Sequence, residues 1–165
     1  MPTKIEKVKF KDFLSKFPSV DLPITLSNDS HHVFSRSNQP LHSLFLQSYI
    51  TLMEGVIEDD FTEIVPCFSI PDTHEFHAIV YWKASLMDYQ YILATFTKKG
   101  VPIARKVIGG TYSDGAMIVQ SIATIDNDWT IHIVTGRSAV GEEYDAAKST
   151  AMELELLPDG HFTEE

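Results

Sequence analysis

The spacing of apolar and polar positions changes once along the chain, close to residue 60. Before that point it is helical. In KFKDFLSKFP the apolar residues Phe10, Phe13, Leu14 and Phe17 fall at i, i+3, i+4 and i+7, which lines them up in one stripe. Pro18, with no amide hydrogen to donate, ends that helix. A second helix is predicted from Asn38 or Gln39, ahead of Pro40, to about Met53. It carries two apolar stripes, Leu41, Leu44 and Phe45 on one side and Leu46, Tyr49, Ile50 and Met53 on another. Little of its circumference is left for water, which predicts a helix wedged between layers or between the subunits of a two-fold dimer. The intervening SVDLPITLSNDSHHVFSRSN reads as irregular with one short strand at Leu22 to Leu26, and the acidic EGVIEDD after the second helix reads as a connector.

From Phe61 onward the period is 2. Segments rich in β-branched and aromatic residues, such as YQYILATF, MIVQSIATI and WTIHIV, are separated by KKG, SDG, DND and PDG, each suited to the tight turns of hairpins. Strands are expected near 61–70, 75–84, 88–97, 101–109, 116–125, 129–135 and 150–157, with a short piece at 160–163. Seven twisted antiparallel strands curl more readily than they lie flat. The predicted fold is therefore α+β, in a single domain of residues 1–165. Short N-terminal helices (1–57) pack on a curled antiparallel β-meander of seven or eight strands (61–163), as a half-open barrel or two layers.

Alternation along EFHAIVYW puts Phe76, Ala78, Val80 and Trp82 on one face and His77, Ile79 and Tyr81 on the other. Both faces are apolar, as in a strand covered on both sides. The same alternation decides whether the H-x-x-H pair His74 and His77 is a metal site. Residues three apart on a strand point to opposite faces, and His74 belongs to the turn before it. Pro66 inside IVPCFSI cannot donate to a ladder, which predicts an edge strand or a bulge. The pair Gly109-Gly110 predicts a bulge or bend at a strand end.

Charge narrows the partners. A formal net charge of -10 repels a phosphate backbone, so nucleic acid is not an expected partner. Residues 1–17 are net +3 and residues 142–165 net -7, a polarity suited to steering a partner. The single cysteine, Cys67, allows no intrachain disulfide and no multi-cysteine zinc site, and its apolar setting gives it the role of a small buried hydrophobe. No stretch approaches the ~20 apolar residues of a membrane helix, so no membrane partner and a cytoplasmic location are expected.

No nucleophile with a base, no acid-base pair and no metal set is legible: there is no G-x-S-x-G elbow, no EF-hand spacing, and the adjacent His31 and His32 imply no third ligand. Catalytic residues, metal and cofactors are accordingly none. The leading expectation is a non-catalytic binding or protein-interaction module acting through its sheet surface or acidic tail. The alternative is a small-molecule-binding domain or cofactor-free enzyme with a pocket between the curled sheet and the second helix. In that case His77, Tyr89, Tyr91 and His132 form a polar-aromatic floor, provided that strand register brings them onto one concave surface.

Overall fold

Eight antiparallel strands make one curled sheet in the computed structural model, which describes residues 9–55, 62–139, 141 and 149–163. The strands are β1 (Ile24–Leu26), β2 (Glu63–Ser69), β3 (His77–Ser85), β4 (Asp88–Phe96), β5 (Pro102–Ser113), β6 (Met117–Ile125), β7 (Thr130–Ala139) and β8 (Thr150–Glu155). β2 to β8 run in sequence order as a meander, the arrangement that the period-2 segments and their turns predict. At the β5–β6 turn Asp114 accepts the amides of Ala116 and Met117 on one carboxylate oxygen, an Asx turn that sets the hairpin.

The sheet curls without closing because only part of β5 pairs with β6. Its last residues, Gly110–Ser113, pair with Ile118–Ser121 of β6, while the other end of β6, Ala123–Ile125, is taken by β1. The expected 101–109 strand therefore does not end at its glycines but runs through them. Tyr91 faces Gly109 and Ile92 faces Val107, leaving Ile108 as an extra residue, so the pair marks a bulge. Gly110 sits at φ 136°, where a Cβ would come within 1.9 Å of the Tyr89 carbonyl oxygen. Only glycine fits so close to the next strand. β2 is the outer strand of the meander and is bulged between Pro66 and Phe68, as Pro66 requires. The Asn38 side-chain amide donates to the Pro66 and Cys67 carbonyls there, each at 2.8 Å, and so satisfies part of the open edge.

Burial follows the alternation. Phe76, Ala78, Val80 and Trp82 join one apolar cluster, enclosed where the sheet folds over itself and including Leu93, Ile108, Ala123, Ile125, Ile131 and Leu154. Ile79 and Tyr81 join a second, between the outside of β3–β4 and the helices. α1 (Phe10–Leu14) adds Phe13, and Phe17 in the turn beyond it is also buried there.

Two features of the helical part differ from expectation. Ser30–Ser37, irregular by its sequence pattern, forms a helix, α2. None of its residues is fully buried, so no apolar stripe announces it. The next helix begins at Ser43, not near Asn38. Asn38 is extended and engaged with β2, and His42 Nδ1 caps the new helix by accepting the Leu44 amide. That helix is α3 (Ser43–Phe45), a π turn (Leu46–Ile50) and α4 (Thr51–Glu54) in succession. The π turn accounts for the two stripes. One extra residue in a turn rotates the remainder of the helix by about 100°. Leu41 and Phe45 before it and Ile50 after it thus reach the same cluster, with Leu46, Tyr49 and Met53 packed alongside. Most of the helix's apolar circumference thus packs within the chain. No described helix is long and apolar enough to cross a membrane.

Candidate functional site

Strand register builds an aromatic patch on the inner face. Val65, Trp82, Tyr91 and Gly109 lie in one row across β2–β5, and Glu63, Ala84, Tyr89 and Thr111 in the next row on the same face. β1, by pairing with β6, delivers the chain to this patch, and α2 then packs over it. Three hydrogen bonds fasten the junction. The Tyr91 hydroxyl donates to the Ser27 carbonyl at 2.9 Å, the Thr111 hydroxyl donates to Asn28 Oδ1 at 3.0 Å, and the Ser27 amide donates to Ser30 Oγ at 2.9 Å.

His31, in the first turn of α2, lies flat on Trp82, with ring centroids 4.1 Å apart and planes 2° from parallel. Tyr89 is also parallel to the indole, at 5.7 Å and 4°. Asn28, His31, Trp82, Tyr89, Tyr91, Gly110 and Thr111 together line a cleft of about 330 Å³. Trp82 and Tyr91 are buried, whereas Tyr89 is 42% exposed and presents its ring to whatever enters. Burial, and secondarily the charge of His32, holds the His31 imidazole below its ordinary pKa. Burial pushes the Tyr91 phenol up, so it stays a donor to Ser27. A second cavity, of about 240 Å³, shares Tyr89, Gly110 and Thr111 with the first and extends to Gln90 and to the hydroxyl pair Ser121–Thr135, 2.8 Å apart.

Of the four residues expected to line a pocket, Tyr89 and Tyr91 meet here. The other two do not join them. His77 lies on the opposite face of β3, edge-on to Phe10 at 5.7 Å, with burial and the Lys98 charge lowering its pKa. His132 stands at the far end of the sheet between two carboxylates, Nε2 at 2.7 Å from Asp126 and Nδ1 at 3.0 Å from Glu153. The hydrogen bond to Asp126 is the main reason its pKa is raised. The tyrosine-lined cleft is also placed differently from expectation, under α2 instead of under the helix that ends at Glu54.

Sequence reasoning misses His31, Trp82, Asn28 and Thr111 as lining residues. In the sequence His31 stands out only as a metal-ligand candidate, and Trp82 only as one of the apolar residues sharing a face with Phe76, Ala78 and Val80. Also missed is a charged cluster on the helix-covered face. Glu54, 2% exposed at its side chain, accepts from Arg105 Nε and Nη2, from Lys83 Nζ at 2.9 Å and from the Tyr81 hydroxyl. Burial alone would raise this carboxyl's pKa, but the bonds from Arg105, Tyr81 and Lys83 outweigh it and bring it below the ordinary value. Every group in the cluster is partnered, so it reads as a clamp between α4 and the sheet. Cys67 is buried in the β2 bulge, and burial pushes its thiol far up, the opposite of what a nucleophile needs. Comparison with known proteins finds no family model, no curated protein and no solved structure that matches this chain.

Proposed function

We propose that this chain is a non-catalytic binding module whose recognition site is the aromatic cleft beneath α2, and that it takes a small flat molecule. One observation carries the reading. The half-exposed ring of Tyr89 is held parallel to a buried indole that is itself backed by His31. Rings fixed in parallel stack a flat guest at little entropic cost, and an offset-stacked pair contributes about 0.5–1.5 kcal/mol beyond the area it buries. A volume of about 330 Å³ suits a guest of one or two rings. The polar atoms support binding over chemistry. The hydroxyls of Tyr91 and Thr111 are engaged with Ser27 and Asn28, and His31 is committed to the indole face instead of to a nucleophile.

A thermal-shift screen of one- and two-ring compounds tests this. A compound at about 100 times its Kd stabilises the fold by about 2.7 kcal/mol. The expected result is a hit whose shift disappears in Tyr89→Ala. A screen without hits, or hits indifferent to that substitution, would sink the reading.

A further inference from the structure

We infer that the ligand of this cleft is a planar organic cation of the amidinium or pyridinium class, an inference that rests on the cleft being the binding site. Shape comes first. The rings of His31, Trp82 and Tyr89 lie within a few degrees of parallel and stack on one another at 4.1 and 5.7 Å, so the cleft offers a guest the flat, half-exposed ring of Tyr89 and not a box. A box of crossed rings suits a spherical ammonium, whereas one flat ring face suits a plane.

The sign of the charge comes from the surroundings of the cleft. Among the described residues, no Lys, Arg, Asp or Glu lines the cleft itself, so the nearest charges outside the lining decide. Lys83 and Arg105, basic residues on β3 and at the start of β5, belong to the other face and are held there by Glu54, and Lys106, opposite Leu93 on the inner face, lies outside the lining. Two carboxylates stand close by. Glu63 lies opposite Ala84, which lies opposite Tyr89, so its side chain shares the face of the tyrosine and is exposed at its edge. Asp29 immediately precedes α2, and both acids act on the His31 ring. Ring faces carry the negative end of their quadrupole. Ring faces, two carboxylates and a chain of net charge -10 all favour a cation and oppose an anion. His31 does not supply the cation itself, because burial and His32 favour its neutral form.

The test uses three isosteric probes on the intact chain: benzamidinium, benzamide and benzoate, titrated by calorimetry at low and high salt. Benzamidinium is expected to bind roughly five- to tenfold more tightly than benzamide, with benzoate weakest. That advantage should shrink in Glu63→Gln, in Asp29→Asn and at high salt, where screening shortens the reach of exposed charges. Tyr89→Ala, and Tyr89→Leu as a variant that keeps apolar bulk, should lose the binding with unchanged circular dichroism. If benzamide equals benzamidinium and both are lost in the Tyr89 variants, the cleft stands as the site and the cation assignment falls. A cation preference that survives both acid substitutions keeps the assignment and gives its source as the ring faces in place of the carboxylates. If no probe binds, or binding ignores the Tyr89 variants, the cleft itself is overturned and the assignment with it.

Discussion

The two faces of β3 and β4 carry the same kinds of side chain and use them in opposite ways. On the helix-covered face Tyr81, Lys83 and Arg105 converge on one buried carboxylate, and each polar group there has a partner. On the inner face Trp82, Tyr89 and Tyr91 stack and bond, yet one ring is left half open. A saturated cluster can only stabilise; a further partner would have to displace one already bound. An incompletely covered aromatic row retains binding capacity and keeps apolar surface in water. The difference comes from the covering elements. α1, α3 and α4 with its preceding π turn bring Phe13, Phe45 and Ile50 to the outer face, whereas α2 buries none of its residues fully, setting Phe34 against Phe68 and a flat imidazole on Trp82.

The sharpest way to break this comparison is Trp82→Ala, which removes a side chain that is 8% exposed and shared by the core and the cleft. It should cost about 3–5 kcal/mol in urea unfolding. His77→Ala, on the opposite face and partly exposed, should cost about 1 kcal/mol. Equal losses would mean that His77 is as firmly packed into its face as Trp82 is into the inner one.

Next in size is Glu54→Gln, which leaves Arg105 and Lys83 without their counter-charge. Complete burial would put the loss at about 3–5 kcal/mol, but both cations are partly wet, so about 2–3 kcal/mol is expected in the same measurement. The sign with pH is fixed. A carboxyl whose folded pKa is lowered contributes stability above its unfolded value and loses it as pH falls through the folded one. The gap between wild type and Glu54→Gln should therefore close on acidification below about pH 4. A gap that persists there would show that the clamp is not ionic.

The smallest effect belongs to His132, whose ring nitrogens tie Asp126, after β6, to Glu153 in β8. Its folded pKa is raised, chiefly by Asp126, so its contribution is complete below the unfolded value near about 6.5 and is lost as pH rises through the folded one. His31 and His77, with lowered values, run the other way and weaken the fold as pH falls. The unfolding midpoints of wild type and His132→Gln should differ at about pH 6 and converge by about pH 9. A difference independent of pH would mean that the histidine acts by packing alone.

How much of the molecule is legible in its sequence depends on range. Period-2 segments and turn residues are local signals, and the meander, the two-sided burial of β3 and the Pro66 bulge can all be read from them. The glycine pair is legible as a bulge but not as a point that β5 passes through, because strand pairing beyond it depends on β6. Glu54 is hidden in an acidic connector, where nothing nearby in sequence indicates that Lys83 and Arg105 come to meet it. α2 is hidden by its polarity, since a helix that buries no residue fully leaves no stripe. The cleft requires both non-local facts at once: that Tyr89 and Tyr91 share a face with Trp82, and that a segment with the pattern of a loop lies over them.

The pairing of β1 with β6 joins residues about a hundred positions apart in the chain, whereas the hairpins of β2 to β8 connect neighbours in sequence. Loop closure of that length is entropically costly, and contacts of long sequence separation form late. The roof of the cleft, carried by α2 directly after β1, is thus expected to form after the hairpins, an order that hydrogen exchange would show as weaker protection of β1 and α2 than of β3 and β4. A guest of the proposed kind, bound only where this roof is in place, would therefore hold β1 and α2 down as it binds.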